Sequence, residues 1–214
     1  MENIVSEIAT SNVIPIVSSA KMTYEEFLHE YDGQYAEYVD GEVIKDMSVT
    51  KRHDNLTKFL ITLLTMFVET KKIGKIHGEP YQMKMTFGDK TKGREPDIFF
   101  VKTDNFDRAK EQYFEGAADL VIEVISPESV VGDTEDKFEE YETAGVKEYW
   151  IIDPNQRTAN FYGYDENGKY KMLPISVDGI FESRVIEGLW INTDWLWQDE
   201  LPNLMDVLKD WNLI

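Results

Sequence analysis

The sequence predicts an α/β fold bordering on α+β. One central mixed β-sheet is flanked by helices, with a helix and hairpin on the N-terminal side and a β/helix extension at the C-terminal end. Three observations predict it. Apolar residues recur at helical spacing in some segments and as short runs between turn residues in others, in the order helix, strands, helix, strand. Two runs, 96–101 and 119–125, are almost continuously apolar, the pattern of strands covered on both faces. The 214 residues, 42% of them hydrophobic, can fill one generous core, and no repeat, low-complexity stretch or linker divides them. Residues 1–20 read as an arm and 21–214 as a single domain.

The elements follow in order. Thr23 and Glu26 have the spacing of a capping box ahead of a short helix. AEYVDGEVIKDM then reads as a hairpin turning at Asp40-Gly41. From His53, the residues Leu56, Phe59, Leu60, Leu63, Leu64 and Phe67 mark an amphipathic helix to about Lys71, with Gly74 as its stop. KIHGEPYQMKMTFG alternates at Tyr81, Met83, Met85 and Phe87 as a strand does, and PDIFFV and DLVIEVI follow as buried strands. KTDNFDRAKEQYFEGA between them reads as a loop with a helical turn. After Pro127, TEDKFEEYETAGV is a second helix with Gly145 beyond its end. EYWIIDP is a further buried strand, NFYGYDENGKYKML a hairpin at Asn167-Gly168, and the tail adds strands and a short last helix.

Composition limits function. No apolar run approaches the ~20 residues of a bilayer span, and the first twenty residues make a poor signal peptide. The absence of cysteine excludes disulfides and thiolate metal sites and fits a reducing cytoplasm. Forty-one acidic against 22 basic residues give a net charge of −19, which repels a phosphate backbone at long range. A nucleic-acid enzyme so charged needs a local basic rim, a bridging metal or a partner. Trp190, Trp195, Trp197 and Trp211 read as a hydrophobic seam or homodimer surface rather than as platforms for bases.

One residue conflicts with its strand. Glu123 stands inside the apolar run of DLVIEVI, where an ionised carboxylate costs several kcal/mol unless it is paired. Asp97 opens the preceding buried strand. If the two strands are neighbours, two carboxylates converge and require a shared proton, a cation or a lysine; oxygen donors of this kind suit Mg²⁺. The position two beyond Glu123 on the same face is Ile125. The nearest suitable cation is Lys137, which lies with Asp133 and Tyr141 along one face of the following helix. Each residue also has a plain reading. Asp97 could cap a turn, Glu123 could face water, and Lys137 could pair with Glu135, Asp136, Glu139 or Glu140 on its own helix. Tyr141 reads as core packing with its hydroxyl near the site, and Ser126 as the strand end or an orienter of Glu123.

EPDIFFV, ADLVIEVISPES, the ladder of Asp133, Lys137 and Tyr141, and AGVKEYWIIDP together resemble the Uma-type restriction endonuclease family of the PD-(D/E)XK nuclease superfamily. EYVDGEVI, His53 ahead of a helix and IEGLWI extend the likeness over residues 21–210. The resemblance implies a restriction-endonuclease-like core and a DNA substrate. It implies Asp97 and Glu123 as ligands of Mg²⁺ (Mn²⁺ substituting), with the carbonyl of Val124 as a third. The superfamily's lysine, ordinarily two residues after the second acid, is implied to have moved to Lys137. A fourth site residue is implied as well, with His53, Glu37 and Glu42 as candidates. The expected activity is metal-dependent hydrolysis of DNA phosphodiester bonds. Two rivals stand beside it: a nuclease-fold module that binds or regulates without cutting, and a two-carboxylate hydrolase acting on a substrate such as a glycoside.

Overall fold

The computed structural model describes residues 21–45, 49–126 and 131–214, with the backbone alone for 131–134. The arm expected over 1–20, the strand stop at Pro127 and the side chain of Asp133 lie outside the described residues.

Helix α1 (Tyr24–Glu30) starts at the expected capping box: Thr23 Oγ1 accepts from the Glu26 amide, and Glu26 accepts in return from the Thr23 amide at 2.7 Å. Strands β1 (Ala36–Val39) and β2 (Glu42–Lys45) form the hairpin, with Asp40 and Gly41 both at positive φ, as a tight two-residue turn demands. Helix α2 (Lys51–Lys71) is capped by Thr50, whose hydroxyl accepts from the His53 amide. It ends with Lys72, not Gly74, in the left-handed conformation. Gly74 instead opens β3 (Gly74–His77), where a Cβ would lie 2.2 Å from the Phe100 ring.

There follow β4 (Gln82–Phe87), β5 (Lys90–Arg94), β6 (Ile98–Lys102), a 3-10 turn (Thr103–Arg108), β7 (Tyr113–Glu115) and β8 (Leu120–Val124). Helix α3 (Val131–Ala144) ends at Gly145, which has the expected positive φ. The chain continues through β9 (Glu148–Asp153), β10 (Thr158–Tyr164), β11 (Tyr170–Met172), β12 (Ile180–Glu182) and β13 (Trp190–Asn192). A second 3-10 turn (Thr193–Trp197) and α4 (Leu204–Asp210) complete it.

The expected mixed sheet has six strands in the order β11-β10-β9-β8-β6-β3. Only β8 and β9 run parallel, joined through α3; the other pairs are antiparallel. A second mixed sheet, β2-β1-β5-β4-β7, and the small pair β12-β13 were not anticipated as separate layers. The stretch read as one alternating strand is divided between layers: β3 edges the central sheet and β4 belongs to the second.

The alternation of β8 sorts the core into two. Leu120, Ile122 and Val124 pack with Leu56, Leu60 and Leu63 of α2. Val121 points the other way, toward Met83 and Met85 of the second sheet, Tyr141 of α3 and Tyr149. Trp190, Trp195 and Trp211 meet one another, and Trp211 sets its edge on Phe67 at 5.2 Å, so this seam lies within the chain. Among the described residues no helix is long and apolar enough to cross a membrane.

Candidate active site

Strands β6 and β8 are antiparallel neighbours with Ile98 opposite Ile122. One step further, the same register sets Asp97 opposite Glu123, on the face of Phe99 and Val121. Two carboxylates directly opposite each other repel, and both are buried. Asp97 is fixed at both oxygens: the Val124 amide donates to Oδ2 at 2.7 Å, and His53 Nε2 lies 3.0 Å from Oδ1. The Tyr141 hydroxyl donates to Glu123 Oε1 at 2.8 Å. Burial pushes that hydroxyl's pKa well above its usual value, so it remains a donor.

Lys137 reaches this point from α3. Its Nζ is 3.6 Å from Glu123 Oε1 and 3.2 Å from Glu37 Oε1 of β1, and its side chain is only 14% exposed. It therefore bridges two buried carboxylates from other elements, which sets aside its reading as an exposed helix ion pair. Its helix neighbour Glu140 turns instead to Arg94 and Lys92 of β5. Of the three candidates for a fourth residue, Glu37 and His53 converge here, whereas Glu42 on β2 is exposed and does not.

The two glutamates beside Lys137 titrate in opposite directions. Burial raises Glu123 most; Lys137 opposes it, Asp97 and Glu37 add to it, and the carboxyl is pushed up. Burial would also raise Glu37, but Lys137 and then Arg94 outweigh it and hold that carboxyl down. Glu37 is thus the ionised partner, and Glu123 is the group that a further cation would ionise.

Among the described residues no three His, Asp or Glu side chains are grouped as metal ligands. The site offers two carboxylates, Asp97 and Glu123, with the Val124 backbone between them. Mg²⁺ typically takes one or two carboxylates, keeps several waters and completes its shell with substrate phosphate, so this oxygen donor set fits it. The charge fits as well. Glu37, Glu95, Asp97, Glu123 and Glu140 are buried close to Arg94, Lys137 and Lys92, and this excess of carboxylate favours a bound divalent cation.

Reading the sequence missed Arg94, Glu95 and Gln82. Arg94 donates from Nη1 to Glu37 at 2.6 Å and from Nε and Nη2 to Glu140 at 2.8 and 3.0 Å. The Glu95 amide donates to Glu37 Oε1 at 3.2 Å; the Glu95 carboxylate accepts from the Ala36 amide and from Gln82. The available signal was the run Arg94-Glu95-Pro96-Asp97, with three charges just ahead of an apolar strand.

No curated protein matches the chain. Among solved structures it resembles a protein from Anabaena variabilis ATCC 29413 described as "a putative nuclease belonging to DUF820". The two share 20% identity and a TM-score of 0.65 over 82% of this chain and 97% of that one, which shows a shared fold. The model of the Uma2 family, described as "Putative restriction endonuclease", matches residues 23–194. That match covers most of the chain, which therefore belongs to the Uma2 family.

Proposed function

We propose that the protein hydrolyses DNA phosphodiester bonds with Mg²⁺, for which Mn²⁺ can substitute. The observation that carries this reading is the convergence of Asp97, Glu123 and Lys137 on one buried point, from the residue just ahead of β6, from β8 and from α3. Asp97 and Glu123, with the carbonyl of Val124, would hold the cation. When bound, it would polarise a phosphoryl oxygen and lower the pKa of a water. His53 and the Val124 amide orient Asp97, and Tyr141 orients Glu123. Lys137 places a compact positive charge beside Glu123, where it stabilises the charge that develops as the phosphodiester is attacked. Glu37, held ionised, keeps Lys137 at that place.

The test is cleavage of plasmid and linear DNA by purified protein with Mg²⁺ or Mn²⁺. Cutting should stop with a chelator and be absent in Glu123→Ala. Cutting that survives both treatments would overturn the reading. Hydrolysis of a glycoside in the presence of chelator would favour the acid/base rival instead.

A further inference from the structure

A lysine carried on a strand is aimed by the register of its sheet. Here the strand position, Ile125, is apolar, and the cation arrives on a helix packed across the layer. A lysine side chain has four rotatable carbons and a head that donates in any direction. Something other than the sheet must set where Lys137 points.

Arg94 sits where that can be done. Its side chain is 3% exposed, and its planar fork is divided between two elements. One edge donates to Glu37, the carboxylate that lies 3.2 Å from Lys137 Nζ. The other donates twice to Glu140, three residues beyond Lys137 on α3 and therefore on nearly the same helical face. A closed ring results: Arg94 to Glu37, Glu37 to Lys137, along one turn of α3 to Glu140, and back to Arg94. Gly93 beside it is tightly enclosed, because a Cβ there would lie 2.4 Å from Gln82 Oε1 and 2.6 Å from the Tyr24 ring. The backbone that presents Arg94 is therefore held closely as well.

We infer that Arg94 is the positioning residue of the site: it fixes Lys137 against Glu123 by holding Glu37 and the Glu140 turn of α3 together. On this view Glu37 is the lysine's counter-ion and not a further metal ligand. A buried, multiply paired arginine is poor evidence for stability, since apolar packing often serves as well; fixing a single arrangement is what the fork adds. Lysine at position 94 would keep the charge but could not donate in two directions in one plane. The inference rests on the proposed role of Lys137 in hydrolysis, but its first test does not need DNA.

That test is the rate at which a small amine-reactive reagent modifies Lys137 in the full chain, followed by mass spectrometry with exposed Lys209 as internal reference. Arg94→Lys should raise the Lys137 rate at least fivefold relative to Lys209, and Arg94→Gln at least as much. An unchanged ratio in a folded variant overturns the inference. Should both variants fail to fold, Glu140→Gln takes their place. It leaves Arg94 its bond to Glu37, so a rise of about twofold is expected, and no rise overturns the inference equally. Mn²⁺ titration by calorimetry then separates the roles of Glu37. Glu37→Gln should keep Mn²⁺ affinity within threefold of wild type, whereas a tenfold loss would make Glu37 a ligand and overturn that part. With DNA, Arg94→Lys should lower kcat at least tenfold at unchanged KM. A wild type that neither binds Mn²⁺ nor cuts DNA would sink the proposed function, while the Lys137 labelling still decides the clamp.

Discussion

Two buried glutamates stand on adjacent parallel strands, Glu123 on β8 and Glu148 on β9, and burial raises the pKa of both. Their surroundings differ in kind. Glu148 accepts from the Trp150 indole of its own strand at 2.8 Å and from the Arg184 and Val185 amides at 2.7 and 3.2 Å; all are neutral donors, and the two amides tie the segment before β13 to the central sheet. Glu123 meets one hydroxyl, a lysine and, across the strands, another carboxylate. A buried carboxylate in an apolar strand is therefore not itself a mark of function. Glu148 is a strut because its carboxyl is shared among fixed dipoles; Glu123 is left to a lysine and a rival acid, and that difference is what supports the proposed site.

The sharpest way to break the comparison is to remove each carboxylate in turn. Glu123→Ala should lower metal-dependent DNA cleavage by about 10³-fold, the scale of losing a key electrostatic group, with far less effect from Glu148→Ala in protein that remains folded. Equal losses of turnover would erase the distinction. Stability should respond the other way. Glu148→Ala strands three donors and should cost about 3 kcal/mol in denaturant unfolding, given 1–3 kcal/mol per unsatisfied buried group. Glu123→Ala in chelator strands one donor, the Tyr141 hydroxyl, and removes the carboxyl that faces Asp97, so it should cost less.

Metal should act on one glutamate alone. At about 100 times its Kd, Mn²⁺ should stabilise wild type by about 2.7 kcal/mol and Glu148→Gln equally. Asp97→Asn should be nearly indifferent to it; a metal-stabilised Asp97→Asn would place the cation elsewhere.

The smallest effect is in pH. The Glu123 carboxyl, pushed up to about 8 from 4.5, takes up a proton on folding. Its ionisation therefore lowers stability as pH rises from 4.5 toward 8. In chelator, wild type should lose at least about 1 kcal/mol between pH 5.5 and 8, visible as a lower Tm. Glu123→Gln should flatten that slope. Saturating Mn²⁺ should flatten it too, because the ion favours the ionised carboxylate, while the share that belongs to Glu148 persists.

Much of this site was legible because it obeys local rules. Strand parity placed Glu123 on the face opposite Ile122, helical spacing placed Lys137 and Tyr141 on one face, and the structure brings both to Glu123. The second sheet was not legible. Its middle strand, Lys90-Thr91-Lys92-Gly93-Arg94, has no apolar alternation and is a strand only because β1 and β4 pair with it on both sides. With β5 unseen, Arg94 had no position, and Glu140 looked like one more charge on a solvated helix. The strand β7, three residues long, was hidden in a polar stretch for the same reason: pairing with β4 defines it, not its own pattern.

The amide of Val124 that donates to Asp97 has one more consequence. It ties the carboxylate just ahead of β6 to the backbone of the very residue that follows Glu123, so the proposed site and the strand register cannot vary independently. Gaining or losing a single codon within 120–124 would turn Glu123 toward Leu56 and Leu60 beneath α2 and bring an aliphatic side chain to Lys137. Across descendants of this gene, β8 should therefore tolerate exchanges of one apolar residue for another while its length stays constant. Insertions and deletions should collect in the hairpin at Asn167-Gly168, where no buried carboxylate keeps count.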